Sequence, residues 1–259
     1  MTPLLRWQFI LLFRIITWII SPCLGQEVEK IQTERPGQTE SSSVIPKGTL
    51  QLETGYQFQK ATEEGLSIKT NAYPTALVRL GLLNWLELRI QSALRDSIVE
   101  NGVARKVRGL APLNVGVKFH LWQEQGWRPE AALIARAALP VGSEAYRPDN
   151  PEPELRLTFS NKLTEKIEAA YNLTFGWPGE DQSKGYTFSL SGEVHDKLKV
   201  FGEVFGNKVT GEQAEHQADA GILFLLLPNL QLDLAAGTGL SKAAPDYFIT
   251  TGISVRLPR

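Results

Sequence analysis

The stretch "GTLQLETGYQF", Gly48 to Phe58, alternates between apolar and polar side chains almost without error. One face carries Leu50, Leu52, Thr54, Tyr56 and Phe58, and the other carries Gln51, Glu53, Gly55 and Gln57. A period of two is typical of a β-strand with one apolar and one polar face. The apolar face points either at a protein core or at lipid, and the rest of the chain decides between the two.

Similar patterns follow one another to the end of the 259-residue chain, and no helical period interrupts them. Each pattern is close to the ~9–11 residues that a tilted strand needs to cross a bilayer. We predict twelve strands, near residues 49–59, 72–82, 85–95, 111–121, 128–140, 154–162, 167–177, 185–194, 199–206, 217–226, 230–239 and 247–257.

The predicted connections alternate in length. A longer loop follows the first strand, and tight links near 83–84, 123–126, 161–165, 195–198 and 228–229 alternate with longer ones at 95–110, 142–153, 178–184, 207–216 and 240–246. Short turns on one rim and long loops on the other are typical of outer-membrane barrels, in which the short rim is periplasmic. We therefore predict an all-β fold. It is a single antiparallel transmembrane β-barrel of about 12 strands in the bacterial outer membrane, with short periplasmic turns and longer extracellular loops.

Aromatic residues fall at both ends of the predicted strands. Amphipathic rings gather at both membrane interfaces, so this placement indicates two girdles on the lipid-facing surface. The predicted girdle residues are Tyr56, Phe58, Trp85, Trp122, Trp177, Tyr186 and Tyr247, with Trp127 at the short-turn rim. Aromatic caps on a soluble barrel are the alternative interpretation of this pattern.

Charged residues share the face opposite the aliphatic one. A dry core could not hold so many charges, whereas a wet or charge-paired lumen could. We predict that the lumen is lined by Glu53, Arg79, Glu87, Arg89, Lys118, His120, Glu130, Arg136, Arg156, Glu168, Glu193, Asp219, Asp233 and Arg256. Glu203 is predicted to point inward with Phe201 and Phe205 beside it.

The first residues have the order of a secretory signal. Arg6 and Arg14 precede or interrupt an apolar run, and Pro22 and Gly25 follow it. This order predicts a signal peptide over residues 1–25. An uncleaved membrane anchor and a lipoprotein acylated on Cys23, the single cysteine, are the alternatives.

Residues 26–47 are polar and contain no strand pattern, and the barrel is predicted over residues 48–259. We expect this lead-in to lie at the periplasmic mouth, where Arg35 and Glu40 could pair with wall charges such as Glu53 or Arg89. The segment would then be a plug. A mobile periplasmic tail is the alternative, since leading residues are often disordered.

The lead-in and first strand carry the motifs Glu34-Arg35-Pro36, Thr39-Glu40-Ser41, Pro46-Lys47-Gly48 and Gln51-Leu52-Glu53. Later segments are Leu86-Glu87-Leu88-Arg89, Leu139-Pro140-Val141-Gly142 and the closing "GTGLSKAAPDYFITTGISVRL". On these residues the chain resembles the bacterial outer-membrane transporter family named for the MetA pathway of phenol degradation. The resemblance implies import of phenolic or similar small molecules. Its opening motif includes Glu34, Arg35, Pro36, Thr39 and Glu40, which are also the residues that we expect in the plug.

These patterns predict an outer-membrane channel for passive passage of small solutes. We expect no enzyme activity, catalytic residue, metal site or cofactor, because the three histidines show neither metal-ligand nor triad spacing. The expected partners are outer-membrane lipid, a small-molecule solute and the barrel-assembly machinery. Nucleic acid is not expected, since 27 basic residues face 28 acidic ones. The alternative is a closed structural or adhesive barrel whose basic segment Arg95–Leu110 binds a partner.

Overall fold

The computed structural model describes residues 29–63, 65–101 and 103–258. The predicted signal peptide, residues 1–25, lies outside the described residues. Within those residues, no helix is long and apolar enough to cross a membrane.

Thirteen strands make up the regular structure of the described chain. They are β1 (Leu50–Glu63), β2 (Leu66–Leu83), β3 (Leu86–Asn101), β4 (Val103–Leu110), β5 (Leu113–Trp122), β6 (Glu130–Leu139), β7 (Glu152–Lys162), β8 (Ile167–Gly176), β9 (Ser183–His195), β10 (Leu198–Val209), β11 (Glu215–Leu227), β12 (Leu230–Gly239) and β13 (Tyr247–Leu257). All twelve predicted strands are present, and β4 is additional.

Twelve of these strands close into an antiparallel ring. Each pairs with its neighbours in chain order, except that β3 passes directly to β5, and β1 pairs with β13 to complete the barrel. Leu50 lies opposite Leu257 at this seam, and Gly55 lies opposite Gly252. Closure leaves no open sheet edge in the ring, which a lipid environment requires because it offers backbone groups no water.

The two faces of the barrel wall have the polarity expected in a bilayer. On β12 the side chain of Leu234 is 47% exposed, whereas the adjacent Asp233 is 4% exposed. The same alternation places Leu52 outside and Glu53 inside on β1. The exposed apolar face of the strands, including that of residues 48–58, therefore points at lipid, and the buried charged face points at the lumen.

The predicted long loops between the first strands are wrong. β1 continues to Glu63 and β2 begins at Leu66, so a tight link joins the two strands. Residues 95–110, predicted as the longest loop, instead form the end of β3 and the whole of β4. The two strands pair with each other, with Leu94 opposite Leu110 at one end and Asn101 opposite Val103 at the other. A strand pair is held by hydrogen bonds between backbone groups, which form whether or not one face meets lipid. The strands can therefore continue beyond the ring.

The remaining connections follow the predicted order of rims. One rim has the links 84–85, 123–129, 163–166, 196–197 and 228–229, and the other has 140–151, 177–182, 210–214 and 240–246. We call these the short-turn rim and the long-loop rim. Two long-loop connections, 177–182 and 210–214, are shorter than predicted, because β9, β10 and β11 extend further than their apolar alternation indicates. On the short-turn rim the link 123–129 is longer than the predicted 123–126, and it exceeds both of these.

Candidate functional site in the barrel lumen

Residues 29–47, called the inner segment below, enter and leave the barrel at the short-turn rim. The Ile31 N–H donates to the Pro228 carbonyl at 2.7 Å, and the Gly48 N–H donates to the Gly81 carbonyl at 2.8 Å. Between these two points the segment contacts inward side chains of β1, β2, β3, β5, β6, β7, β8, β10, β12 and β13. A chain that reaches partners all around the ring lies inside it.

Arg35 is bound to the wall at the seam of the barrel. Its Nη2 lies 3.2 Å from Asp233 Oδ1 and its Nε 3.3 Å from Oδ2, the fork geometry in which arginine holds a carboxylate most firmly. The guanidinium also donates to Thr75 Oγ1 at 3.1 Å and to Thr250 Oγ1 at 2.9 Å. The backbone N–H of Arg35 donates to Glu53 at 3.1 Å. The side chain therefore pairs with Asp233 rather than with the expected Glu53.

Two glycines make room for this guanidinium. Gly55 and Gly252 face each other across the β1–β13 seam. A Cβ atom on Gly55 would lie 2.5 Å from Arg35 Nη2, and one on Gly252 would lie 2.4 Å from Arg35 Nε. Because real Cβ atoms do not approach so closely, any side chain at either position would displace the arginine. Glycine at such a place serves close approach rather than a turn.

Glu34 is the centre of a buried ion cluster. One carboxylate oxygen, Oε1, lies 2.7 Å from Lys118 Nζ, 3.1 Å from Arg89 Nη1 and 3.3 Å from Arg79 Nη2. Burial raises the pKa of Glu34, but these three cations outweigh burial and hold the pKa well below its usual range. Glu34 is therefore an anion that neutralises part of the basic wall.

Glu40 binds a second set of basic side chains on the wall, which shares Arg89 with the set around Glu34. Its carboxylate lies 2.5 Å from Arg89 Nη2, 3.3 Å from Arg156 Nη1 and 3.4 Å from Arg136 Nη1. The expected pair of Glu40 with Arg89 is thus present. The Glu40 N–H donates to Asn172 Oδ1 at 2.8 Å, and Asn172 Nδ2 donates back to the Glu40 carbonyl at 2.9 Å. Both the charge and the backbone of this residue are held.

The inner segment turns back between these anchors. The N–H groups of Gln38 and Thr39 donate to the Glu203 carboxylate at 2.5 and 2.9 Å. The hydroxyl of Ser42 contacts that of Ser160, and the Ile45 N–H donates to Glu87 Oε2 at 2.9 Å. The turn of the segment is thus tied to β10, and its returning limb to β7 and β3.

The structure places most of the predicted lumen charges in one connected network with the inner segment. Glu53, Glu87, Arg79, Arg89 and Lys118 are buried and surround Glu34. Arg136, Arg156, Asp233 and Arg256 contact Glu40, Arg35 or the Glu29 carbonyl. His120 pairs with Glu130 at 2.9 Å, and Ser42 donates to Glu130 at 3.3 Å.

Three predicted lumen residues stand apart from this network. Glu168 and Glu193 line a cavity of about 690 Å³, bounded by the inner segment on one side and by the short-turn half of β7 to β11 on the other. Glu193 has only a distant partner there, Lys30 at 3.9 Å. Asp219 is buried beside the carboxyl group of Glu203, its cross-strand partner, and among the described residues no N–H, hydroxyl or cationic group donates to its carboxylate oxygens.

The predicted girdle residues lie on the outer face. Six of them are exposed by 37–49%: Tyr56, Trp85, Trp122, Trp177, Tyr186 and Tyr247. Phe58 is half-buried, with its ring centroid 5.9 Å from that of Tyr247. Trp127, in the turn after β5, is 93% exposed.

Several residues that hold the inner segment were not singled out by the sequence. They are Thr75, Thr250 and Asn172, which donate or accept hydrogen bonds, and the glycine pair Gly55 and Gly252. All of them occupy inward positions of predicted strands, so alternation gave their side. The alternation does not predict which residues they contact, because the register between strands such as β1 and β13 cannot be read from a single sequence.

A closed barrel with an apolar outer face, aromatic belts and a charged interior defines a class, the outer-membrane β-barrel proteins. The family model described as "Putative MetA-pathway of phenol degradation" matches residues 33–257, and the chain belongs to that family. The match includes the inner segment from Thr33 onward as well as the barrel. A comparison with curated proteins gave no match.

Solved structures share the fold at low sequence identity. An outer-membrane channel from Pseudomonas putida F1 is 13% identical, with a TM-score of 0.66 over 86% of this chain and 99% of that one. The translocator domain of the autotransporter NalP from Neisseria meningitidis is 12% identical, with a TM-score of 0.53 over 82% and 89%. The KdgM porin is 10% identical, with a TM-score of 0.52 over 79% and 98%. At such identities the likeness concerns the fold.

Proposed function

We propose that the protein is a plugged outer-membrane channel for passive passage of small solutes, in which the inner segment is the plug. The observation that carries the proposal is the position of this segment, which crosses the lumen and is fastened to side chains around the ring. The channel and the porin that share the fold support it, as does the family's name, which suggests small aromatic or hydrophobic solutes.

The shape of the cavity supports a plug that moves. The wall residues that line the cavity belong to the short-turn half of the strands, and the cavity reaches inward to Pro36, Gly37 and Glu203. A solute that enters from the periplasmic rim meets the turn of the inner segment there. Passage then requires the segment to leave its place on the wall. Transport of this kind uses no covalent chemistry and no cofactor, so we propose that the protein is not an enzyme.

The inner segment is held by many hydrogen bonds and ion pairs, and water can take the place of such contacts when the segment leaves. Arg35, Glu34 and Glu40 carry its charges, and their partners are charged side chains of the inner wall. The buried apolar side chains of the segment are Ile31, Pro36 and Ile45. A polar interface between plug and wall is consistent with reversible release, because hydration offsets much of the free energy of each broken bond.

Deletion of residues 26–44 tests the proposal. The truncated barrel should keep the heat-modifiable gel shift of a folded barrel and should conduct in planar bilayers in larger steps than the full-length protein. The control is Lys30→Ala in the full-length protein, which removes only an exposed ion pair at 3.9 Å. A folded truncated barrel with unchanged conductance would overturn the role of the plug.

A closed structural or adhesive barrel is the second candidate. The observation that favours it is the β3–β4 hairpin, which continues beyond the ring and exposes Arg105, Lys106 and Arg108. A barrel of this kind would stay silent in bilayers after deletion of residues 26–44, and removal of the hairpin would abolish surface binding instead.

A further inference from the structure

One part of the lumen wall differs from the rest because it combines carboxylates with phenyl rings. Glu203 on β10 and Asp219 on β11 are direct cross-strand partners on the inner face, a relation that brings Cβ atoms to about 4.5–5.5 Å. Phe201 and Phe205 flank Glu203 on the same face, and Phe248 lies on β13 with its ring centroid 6.2 Å from that of Phe205. We call these five residues the aromatic-acidic site.

Asp219 is the unexplained member of this site. Its exposed fraction is 7%, its polar neighbour is the carboxyl group of Glu203, and among the described residues no N–H, hydroxyl or cationic group donates to its carboxylate oxygens. Among the described buried carboxylates of the inner face, the others are bound by arginine, lysine or backbone N–H groups. A buried carboxylate without a donor costs free energy unless a counter-charge or a proton compensates it. Its neighbour Glu203 adds a second negative charge and uses its oxygens for the Gln38 and Thr39 N–H groups.

The rings around Asp219 lie against glycines. A Cβ atom on Gly221 would be 2.5 Å from Phe201 Cε1, and one on Gly237 would be 2.4 Å from Phe248 Cε1 and 2.7 Å from Asp219 Cβ. The two glycines therefore let the rings of Phe201 and Phe248 lie close to the backbone on either side of the carboxylate. The result is a polar group enclosed by flat apolar surfaces.

This composition selects among cations. A calcium ion takes 6–8 oxygen ligands, and no group of three or more metal-binding side chains occurs in the described residues. Phenyl rings offer no oxygen, but their faces attract ammonium groups and pack against aromatic rings. An organic ammonium ion with an aromatic or apolar body satisfies both the carboxylates and the rings.

We infer that the aromatic-acidic site binds small organic ammonium ions, aromatic amines above all. The inference rests on the proposed function, because it names a solute class for the same lumen. The site is within reach of the periplasmic side, since Phe201 and Glu203 line the cavity of about 690 Å³ that opens there. An ammonium ion bound between Asp219 and Glu203 also lies beside the turn of the plug, at Gln38 and Thr39.

Binding can be measured without transport. The probe is 4-fluorophenethylammonium, observed by fluorine NMR line broadening with the folded full-length barrel in a neutral detergent, and the comparison compound is the neutral 4-fluorophenethyl alcohol. We expect the ammonium ion to bind and the alcohol to bind at least about tenfold more weakly, because it forfeits the charge-assisted contacts. Equal binding of the two compounds would overturn the inference.

Variants locate the site. Asp219→Asn should weaken binding of the ammonium ion by about tenfold or more, and Phe248→Leu should weaken it by a smaller factor. Glu168→Gln is the matched control, because Glu168 lines the same cavity away from the site and its loss should leave binding unchanged. Every variant must show the heat-modifiable gel shift of the folded barrel. Unchanged binding by folded Asp219→Asn would also overturn the inference.

The proposed channel and the proposed ammonium-binding site can be contradicted independently of each other. A barrel that binds the ammonium ion and stays silent in bilayers, with or without residues 26–44, contradicts the channel and leaves the site in place. A barrel that conducts after removal of the plug but shows no preference for the ammonium ion contradicts the site and leaves the channel in place.

Discussion

Arg35 shows how a single residue holds the inner segment in place. Its guanidinium has a carboxylate, two hydroxyls and two glycines as neighbours, which belong to β1, β2, β12 and β13. The charge and the Glu-Arg-Pro motif made Arg35 recognisable in the sequence. Its partner Asp233 was predicted to face the lumen, but the pairing of the two was not, because strand register over long chain separations is set by the whole barrel.

Arg35→Lys should loosen the plug. Lysine cannot reproduce the fork on Asp233 or reach both hydroxyls, so we expect a loss of about 2 kcal/mol of docking free energy, within the range for bonds to charged groups. Hydrogen exchange of the Gln38, Thr39 and Glu40 amides should then accelerate by roughly 10- to 100-fold. Lys30→Ala is the control and should change exchange little. Equal exchange in Arg35→Lys and the parent protein would contradict the assigned anchor.

Glu34 predicts how docking depends on pH. Its pKa is lowered in the docked state, so its contribution is fully present above the pKa of a free glutamate, about 4.3, and is lost as the pH falls through the lowered value. Conductance should therefore stay constant between pH 7 and pH 5 and should rise only in more acidic solution.

Glu34→Gln should raise the conductance already at pH 7, because Lys118, Arg79 and Arg89 lose their shared counter-charge. Glu100→Gln serves as the control, because Glu100 pairs with the exposed Lys69 beyond the β3–β5 pairs that close the ring. A rise in the conductance of the unaltered protein between pH 7 and pH 5 would show that another group governs docking.

At the scale of elements, alternation predicted the strands well where one face meets lipid. The pattern of residues 48–58 gave both the strand β1 and the side of each residue. Strand β4 was missed for a physical reason. Residues 103–110 lie beyond the ring, where water reaches both faces, so basic residues occur on both sides of the strand and no apolar alternation marks it.

The β3–β4 hairpin should be dispensable for the barrel. Ring closure at this position uses the β3–β5 pairs from Leu86–Phe119 to Gln91–Asn114, below the hairpin. Replacing residues 97–107 with a two-residue glycine turn should leave the heat-modifiable shift and the conductance unchanged. A barrel that no longer folds would show that the hairpin is part of the structural core. A folded barrel with altered conductance would place the hairpin in the solute path.

At the scale of the whole molecule, the inner segment neutralises the lumen charges unevenly. Glu34 and Glu40 compensate the basic wall of β2, β3, β5, β6 and β7, whereas the opposite wall keeps the carboxylate pair of Glu203 and Asp219. Counting charges along the sequence gives a balanced lumen, but it cannot show this separation. The separation depends on which charges the inner segment reaches once the barrel has closed.

A crosslink between the inner segment and the wall tests whether this segment must move before solutes can pass. The hydroxyls of Ser42 on the inner segment and Ser160 on β7 are in contact, so the double variant Ser42→Cys, Ser160→Cys places two thiols where a disulfide can form. We expect the oxidised barrel to be silent in planar bilayers and a reductant to restore the conductance of the single variant Ser42→Cys. Equal conductance before and after reduction, in a barrel with a verified disulfide, would contradict a plug that must leave the wall for solutes to pass.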